Sequence, residues 1–155
     1  MVDVYFLDSS ALLKRYVPEV GTGWIQSIAD PRNQSRLIVA HIAWFEVYSA
    51  VSRRQREGSV SDVQANQILM AFRSHWNIQY FTAAVDETVI SLAGQLVRQY
   101  PLRAYDAVQL ASALSVRDGI SSPEVASYHF LTADDRLLVI AQAENLLVDN
   151  PNWHP

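Results

Sequence analysis

The chain has no cysteine among its 155 residues. Disulfides, thiolate metal sites and cysteine nucleophiles are therefore excluded, which fits a reducing compartment. It also has little basic charge: one lysine, Lys14, beside eleven arginines, for a net charge of −4. Proteins that spread over nucleic acid usually carry a basic surplus, so a broad nucleic-acid footprint is not expected. A site that gathers several carboxylates remains compatible, because such a site is itself a source of negative charge. No apolar run approaches the ~20 residues needed to span a bilayer. The opening Met1-Val2-Asp3-Val4 lacks the basic start and small-residue cleavage site of a signal peptide. A cytoplasmic protein with no membrane partner is the expectation. Linkers, repeats and low-complexity stretches are missing as well.

Half of the residues are hydrophobic and 18% are charged, a composition that predicts one globular domain over residues 1–155 with a real core. Short β-prone runs alternate with longer helical ones. Val4 to Leu7 reads as a strand ending at Asp8, with a helix following to Tyr16 and a stop near Pro18. A second short helix is expected from Thr22 to Ala29, and a strand at Leu37 to Val39. Ile42 to Glu57 reads as helix, closed by Gly58 just past its end. Ser61 and Gln64 form a capping-box signature for a helix reaching Trp76. Ile78 to Phe81 is the next expected strand. Asp86 is a cap for a helix carrying Val89, Ile90, Ala93, Leu96 and Val97 at helical spacing, and Arg103 to Val116 is another helix. His129 to Thr132, Asp134 to Ala143 and Leu146 to Val148 complete the pattern as strand, helix and strand. Such alternation predicts an α/β fold with a mostly parallel sheet between helical layers, whose ligands bind beyond the carboxyl ends of the strands. Asp8 and Asp134 both fall there.

The carboxylates carry the chemistry. Asp8 serves as a helix N-cap in the simplest reading, but Ser9 and Ser10 would cap as well. Glu46 has Ile42, Ala43, Ser49 and Ala50 three and four positions away, none of them cationic. A carboxylate in such company is costly to bury unless it is protonated, paired or bound to a metal. Asp106 lies in the first turn of its helix, where the dipole favours a negative charge and where Arg103 is within reach, yet its face continues inward through Gln109, Leu110 and Ala113. Of Asp134 and Asp135, one is needed as a cap and the other is then free for a site. Clustered carboxylates raise one another's pKa unless a cation is present. Oxygen ligands without Cys or His suit a hard ion, Mg²⁺ or Mn²⁺, whose natural chemistry is phosphoester hydrolysis.

Leu7-Asp8-Ser9-Ser10-Ala11-Leu12-Leu13-Lys14 resembles the opening of PIN-domain nucleases, particularly the VapC-type toxins of type II toxin–antitoxin systems. Glu46 in its helix, Arg103-Ala104-Tyr105-Asp106-Ala107-Val108-Gln109-Leu110-Ala111 and Phe130-Leu131-Thr132-Ala133-Asp134 resemble the family's other acidic blocks in the same order. The resemblance implies a three-layer α/β/α domain, Mg²⁺ or Mn²⁺ dependence, endonucleolytic cleavage of RNA, a homodimer and inhibition by a VapB-like antitoxin. It implies Asp8, Glu46, Asp106 and Asp134 as catalytic and metal-holding residues, with Ser10 and Thr132 as supporting hydroxyls and Asp135 as the alternative fourth acid. On this basis Asp8 and Asp106 are expected to hold the ion most directly, and Glu46 and Asp134 to position water.

Lys14, Arg15 and Arg103 are candidates for RNA phosphate contact. Arg53, Arg54 and Arg56 end a helix, where cations offset the dipole, and are read as solvated. The four histidines share no metal-ligand spacing. Arg117 to Tyr128 looks like an insertion that reshapes the rim of the site. The hairpin from Phe45 to Phe72, with Trp44, Tyr48, Ile68, Leu69 and Phe72, is the expected dimer or antitoxin surface. Two phosphotransfer alternatives fail on residues: a receiver domain wants a lysine after a late strand, and a haloacid-dehalogenase-like phosphatase wants an acid where Ser10 stands. A catalytically inactive PIN-fold module that binds RNA or protein is the remaining alternative.

Overall fold

The computed structural model describes residues 1–155. Five strands, β1 (Val2–Leu7), β2 (Arg36–Ala40), β3 (Tyr80–Ala83), β4 (Val125–Leu131) and β5 (Leu147–Asp149), form one sheet in the order β3-β2-β1-β4-β5. Every neighbouring pair is parallel. Parallel strands need crossovers, and helices supply them. Helices α1 (Ser9–Leu13) and α2 (Thr22–Ile28) join β1 to β2, and α3 (Ala43–Glu57) and α4 (Asp62–Trp76) join β2 to β3. Helices α5 (Glu87–Gln99) and α6 (Ala104–Gly119) lead to β4, and α7 (Asp135–Ala143) to β5. No helix is long and apolar enough to cross a membrane.

Two cores sandwich the sheet. On one face Leu12, Ile25, Val47 and Phe72 from the first four helices close over Leu7 and Val39. On the other, Val89, Leu110 and Leu137 close over Phe6 and Phe130. This is the three-layer α/β/α architecture that the alternation predicts. Strand β1 is central and covered on both sides, which is why Val4, Phe6 and Leu7 are all buried. The capping box forms in full: the Gln64 amide donates to Ser61 Oγ at 3.1 Å and the Ser61 amide to Gln64 Oε1 at 2.9 Å. Gly58 ends α3 in the left-handed conformation, at φ 82°.

Three expectations need correction. Helix α1 is a single short segment that gives way to turns after Leu13. Strand β3 starts at Tyr80, not Ile78. The Ile78 and Gln79 amides both bond back to the His75 carbonyl, at 3.2 and 2.8 Å, so the chain is still leaving α4 there. Arg117 to Tyr128 is not an insertion at the rim of the site. Helix α6 runs to Gly119, and β4 begins at Val125, paired with Val2. That end of β4 is the amino end of the sheet, roughly 20 Å of strand away from Leu131. Of the hairpin aromatics, Phe72 is buried in the first core, and Trp44 and Tyr48 are partly buried against it. Trp44 lies 5.3 Å from Tyr48, 5.5 Å from Phe72 and 5.2 Å from Trp76, ring centre to ring centre, and the group packs on the first core.

Candidate active site

Strand order positions the site. From β1 the chain steps outward to β2 and β3, then crosses back to pair β4 with the other side of β1. The crevice beyond the carboxyl ends of β1 and β4 is thus the switch point of the sheet, where ligands bind in folds of this type. Asp8 follows β1 directly, with its amide bonded to the Leu131 carbonyl at the end of β4 (3.0 Å). Thr132 to Asp134 follow β4. Glu46 comes from the first turn of α3 in one helical layer, and Asp106 from the first turn of α6 in the other. Asp8, Glu46, Asp106 and Asp134 all line one cavity of about 540 Å³.

Asp8 is the most constrained of the four. It does cap α1, accepting the Ala11 amide on Oδ1 at 2.9 Å. The same oxygen accepts the Ser10 hydroxyl at 2.6 Å, and Oδ2 accepts the Thr132 hydroxyl at 2.6 Å. Both hydroxyls have their orientation fixed, because Ser10 Oγ accepts the Ala133 amide (2.9 Å) and Thr132 Oγ1 the Asp134 amide (3.1 Å). Burial pushes the Asp8 carboxyl up to about 6; the bonds from Ser10, Thr132 and Ala11 oppose that rise, and the charge of Asp106 adds to it. Capping explains one of these bonds. It does not explain a buried carboxylate gripped by two further hydroxyls.

Glu46 is half-buried. Its Oε1 accepts the side-chain amide of Gln109 at 2.8 Å, and the same Gln109 nitrogen reaches Ser9 Oγ at 2.9 Å. Burial raises the Glu46 pKa, bonds from Gln109 and Ser9 lower it, and the Asp106 charge raises it. Gln109 was visible in the sequence only as a polar group on an inward face. It is buried, its Oε1 has no partner, and it ties the α6 side of the site to α3. The Asp106 carboxyl is raised by burial and by the charge of Asp134, with Arg103 offsetting part of the rise.

The two adjacent aspartates divide their work against expectation. Asp134 caps α7, its Oδ1 accepting the Arg136 amide at 2.9 Å, and it also lines the cavity. Asp135, the residue left uncapped, turns away and accepts the Asn150 side-chain amide at 2.8 Å. Capping uses one carboxylate oxygen and leaves the other for the cavity, so the two roles fall on one residue.

The cations also sort differently. Lys14 lines the cavity but is buried, its ammonium donating to the Val20 carbonyl (2.9 Å) and standing 3.5 Å from Glu19. Arg15 lies outside this cavity and bonds the Tyr80 hydroxyl (2.7 Å) and Gln79, which leaves it no part in the site. Arg103 lines the cavity, as do Arg53 and Arg54. The helix-end reading of those two missed a signal: they stand seven and eight positions after Glu46, on its face of α3.

No group of three or more Asp, Glu or His side chains is drawn tightly enough to cage a metal ion. The donor set still fits Mg²⁺ or Mn²⁺, which bind one or two carboxylates directly and keep several waters. Asp8 in particular is a buried anion with unspent acceptor capacity on Oδ2.

The PIN domain family model matches residues 5–143. No curated protein matches. Among solved structures, PAE2754 from Pyrobaculum aerophilum is 18% identical with a TM-score of 0.67, covering 98% of this chain and 85% of that one. VapBC2 from Rickettsia felis, bound to a DNA fragment from its promoter, is 13% identical with a TM-score of 0.63, covering 95% and 98%. FitAcB from Neisseria gonorrhoeae is 18% identical with a TM-score of 0.59, covering 97% and 99%. At such identities the structural likeness speaks for the fold. Together with a family match over nearly the whole length, it means that the chain belongs to the PIN domain family.

Proposed function

We propose that this protein is an endoribonuclease dependent on Mg²⁺ or Mn²⁺ and the toxin of a toxin–antitoxin pair. The observation that carries the nuclease reading is the buried Asp8, held by Ser10 and Thr132 in a cavity shared with Glu46, Asp106 and Asp134. Asp8 and Asp106 would hold the ion, with Asp134 close enough to Asp106 to share its field. When bound, the ion supplies charge for the phosphate and eases ionisation of the attacking water. Glu46, whose raised pKa suits a general base, takes the proton of that water on Oε2, since Oε1 is engaged by Gln109. Arg103 holds the phosphate at the edge of the site. The toxin assignment is supported by a structural neighbour described as a toxin–antitoxin complex from Klebsiella pneumoniae. It carries with it a VapB-like antitoxin and a homodimer.

The test is cleavage of RNA oligonucleotides by purified protein with Mg²⁺, with Mn²⁺ and with EDTA. Cleavage should require the ion and fall at least ~100-fold in Asp8→Asn and Asp106→Asn. Full turnover in either folded variant would sink the reading. The loose spacing of the acids favours one second reading, a PIN-fold binding module. That module would show no rise in melting temperature with Mg²⁺ or Mn²⁺.

A further inference from the structure

Phe45 and Tyr105 each directly precede a carboxylate of the site, Glu46 and Asp106. They come from opposite helical layers and meet edge to face, with ring centres 5.5 Å apart and planes at 72°. Both line the cavity, yet Phe45 is 44% exposed and Tyr105 54%. Neither belongs to either core. Exposed aromatic faces beside an acidic centre need another occupant, and the remaining lining says which. Arg53, Arg54 and Arg103 line the same cavity, and none of them takes part in an ion pair. Guanidiniums without a carboxylate in ion-pair contact, Arg54 spending one donor on the Ala50 carbonyl at 3.5 Å, complement beside apolar rings a chain of phosphates that carries bases.

We propose that Phe45 and Tyr105 form an aromatic corner that takes one unpaired RNA base next to the phosphate held at the carboxylates, the base stacking on the face of one ring and abutting the other, with Arg53 and Arg54 receiving neighbouring backbone phosphates. This rests on the nuclease reading and assigns to it the side chains that receive the base and the flanking backbone. A base within a duplex has its faces covered and cannot use the corner, so the substrate is single-stranded at the cleaved position. Stacking tolerates any base, because every base has a flat face. The corner therefore selects strandedness more strongly than sequence.

The experiment uses a short oligoribonucleotide carrying 2-aminopurine, titrated with the Asp8→Asn protein in Mg²⁺. Stacking on an aromatic ring quenches this probe. The expected result is quenched fluorescence for the single strand and none for the same strand annealed to its complement. Adding Phe45→Leu and Tyr105→Leu, which keep apolar bulk and lose the flat face, should abolish the quench and weaken binding about ten-fold or more. Replacing them with tryptophan instead should restore both. Undiminished quenching and affinity in the leucine variant would overturn the proposal. So would a shift from dimer to monomer on light scattering, which would assign the pair to an interface between copies. Cleavage by the parent protein is scored separately. A parent that does not cleave, with quenching that depends on the aromatics, would fail the nuclease reading and leave the aromatic corner standing.

Discussion

At the scale of single residues, Asp8 is the carboxyl that burial raises most. Its carboxyl moves from the ordinary 3.8 to about 6 on folding, so the folded protein holds the proton more tightly than the unfolded chain does. Stability is therefore fully retained below about pH 4, falls as pH rises to about 6, and stays lower above it. The shift corresponds to about 3 kcal/mol for Asp8 alone, and Glu46 and Asp106 shift in the same direction. Urea denaturation in EDTA should show this decline between pH 4 and 6.5. Asp8→Asn should flatten it and raise stability at pH 7, while Mg²⁺ should restore part of the loss in the parent. In the proposed mechanism Gln109 stands one step back, as a positioning residue bonded to Glu46. In Gln109→Leu, Glu46 loses a bond that favours its charged form, so the acid limb of the pH–rate profile should move to higher pH while substrate KM changes little. An unmoved limb would remove Gln109 from the mechanism.

Among the elements, local signals were readable where they close a helix and unreadable where pairing selects a strand. The cap at Ser61 and the stop at Gly58 need only residues within four positions of themselves. Ser61→Ala should cost about 1 kcal/mol in urea denaturation. Gly58→Ala meets no neighbouring atom, so its cost of about 1 kcal/mol comes from the left-handed backbone alone. Strand β3 shows the opposite case. Ile78 is apolar and β-prone but points into solvent, whereas Tyr80 enters the sheet because it lies opposite Leu37 of β2. Strand β4 begins at Val125 for the same reason: Val-Ala-Ser-Tyr carries no strong pattern, and pairing to Val2 through Val4 of β1 selects it.

In the whole molecule, the end of the chain braces the wall of the site. Residues Pro151–Trp153 form a turn of 3-10 helix against the start of α2, and His154 stacks on Trp24 with ring centres 4.0 Å apart. Gly21 permits this approach, at φ 89° with the Pro151 carbonyl oxygen only 2.4 Å from where a Cβ would stand. The neighbouring Val20 carbonyl holds Lys14 in the cavity lining. Gly21→Ala should therefore cost about 2 kcal/mol or more, read as a lower denaturation midpoint, because backbone must move on both sides. The negative net charge has its own consequence. With Arg53, Arg54 and Arg103 as the main phosphate contacts, the affinity for single-stranded RNA should fall with salt at a log–log slope of about −2. A much steeper slope would mean a wider basic footprint than this cavity provides.

The sequence by itself determined the alternation of strands and helices, the capping residues and the four candidate acids that line one cavity, because periodicity, caps and ordered motifs are local properties. Tertiary structure alone decided which acids meet and what surrounds them. Residues separated by nearly a hundred positions or more, such as Asp8 and Thr132 or Ser9 and Gln109, become bonded only because β1 and β4 are neighbours and α6 packs over their carboxyl ends. The same packing removed Arg15 from the site, brought Arg53 and Arg54 into it, and gave Asp134 both a cap and a place in the cavity. The four carboxylates were legible as residue types in order. The raised pKa values of Asp8, Glu46 and Asp106, the hydroxyl partners of Asp8 and the aromatic pair at the edge follow from tertiary packing, which no short stretch of chain specifies.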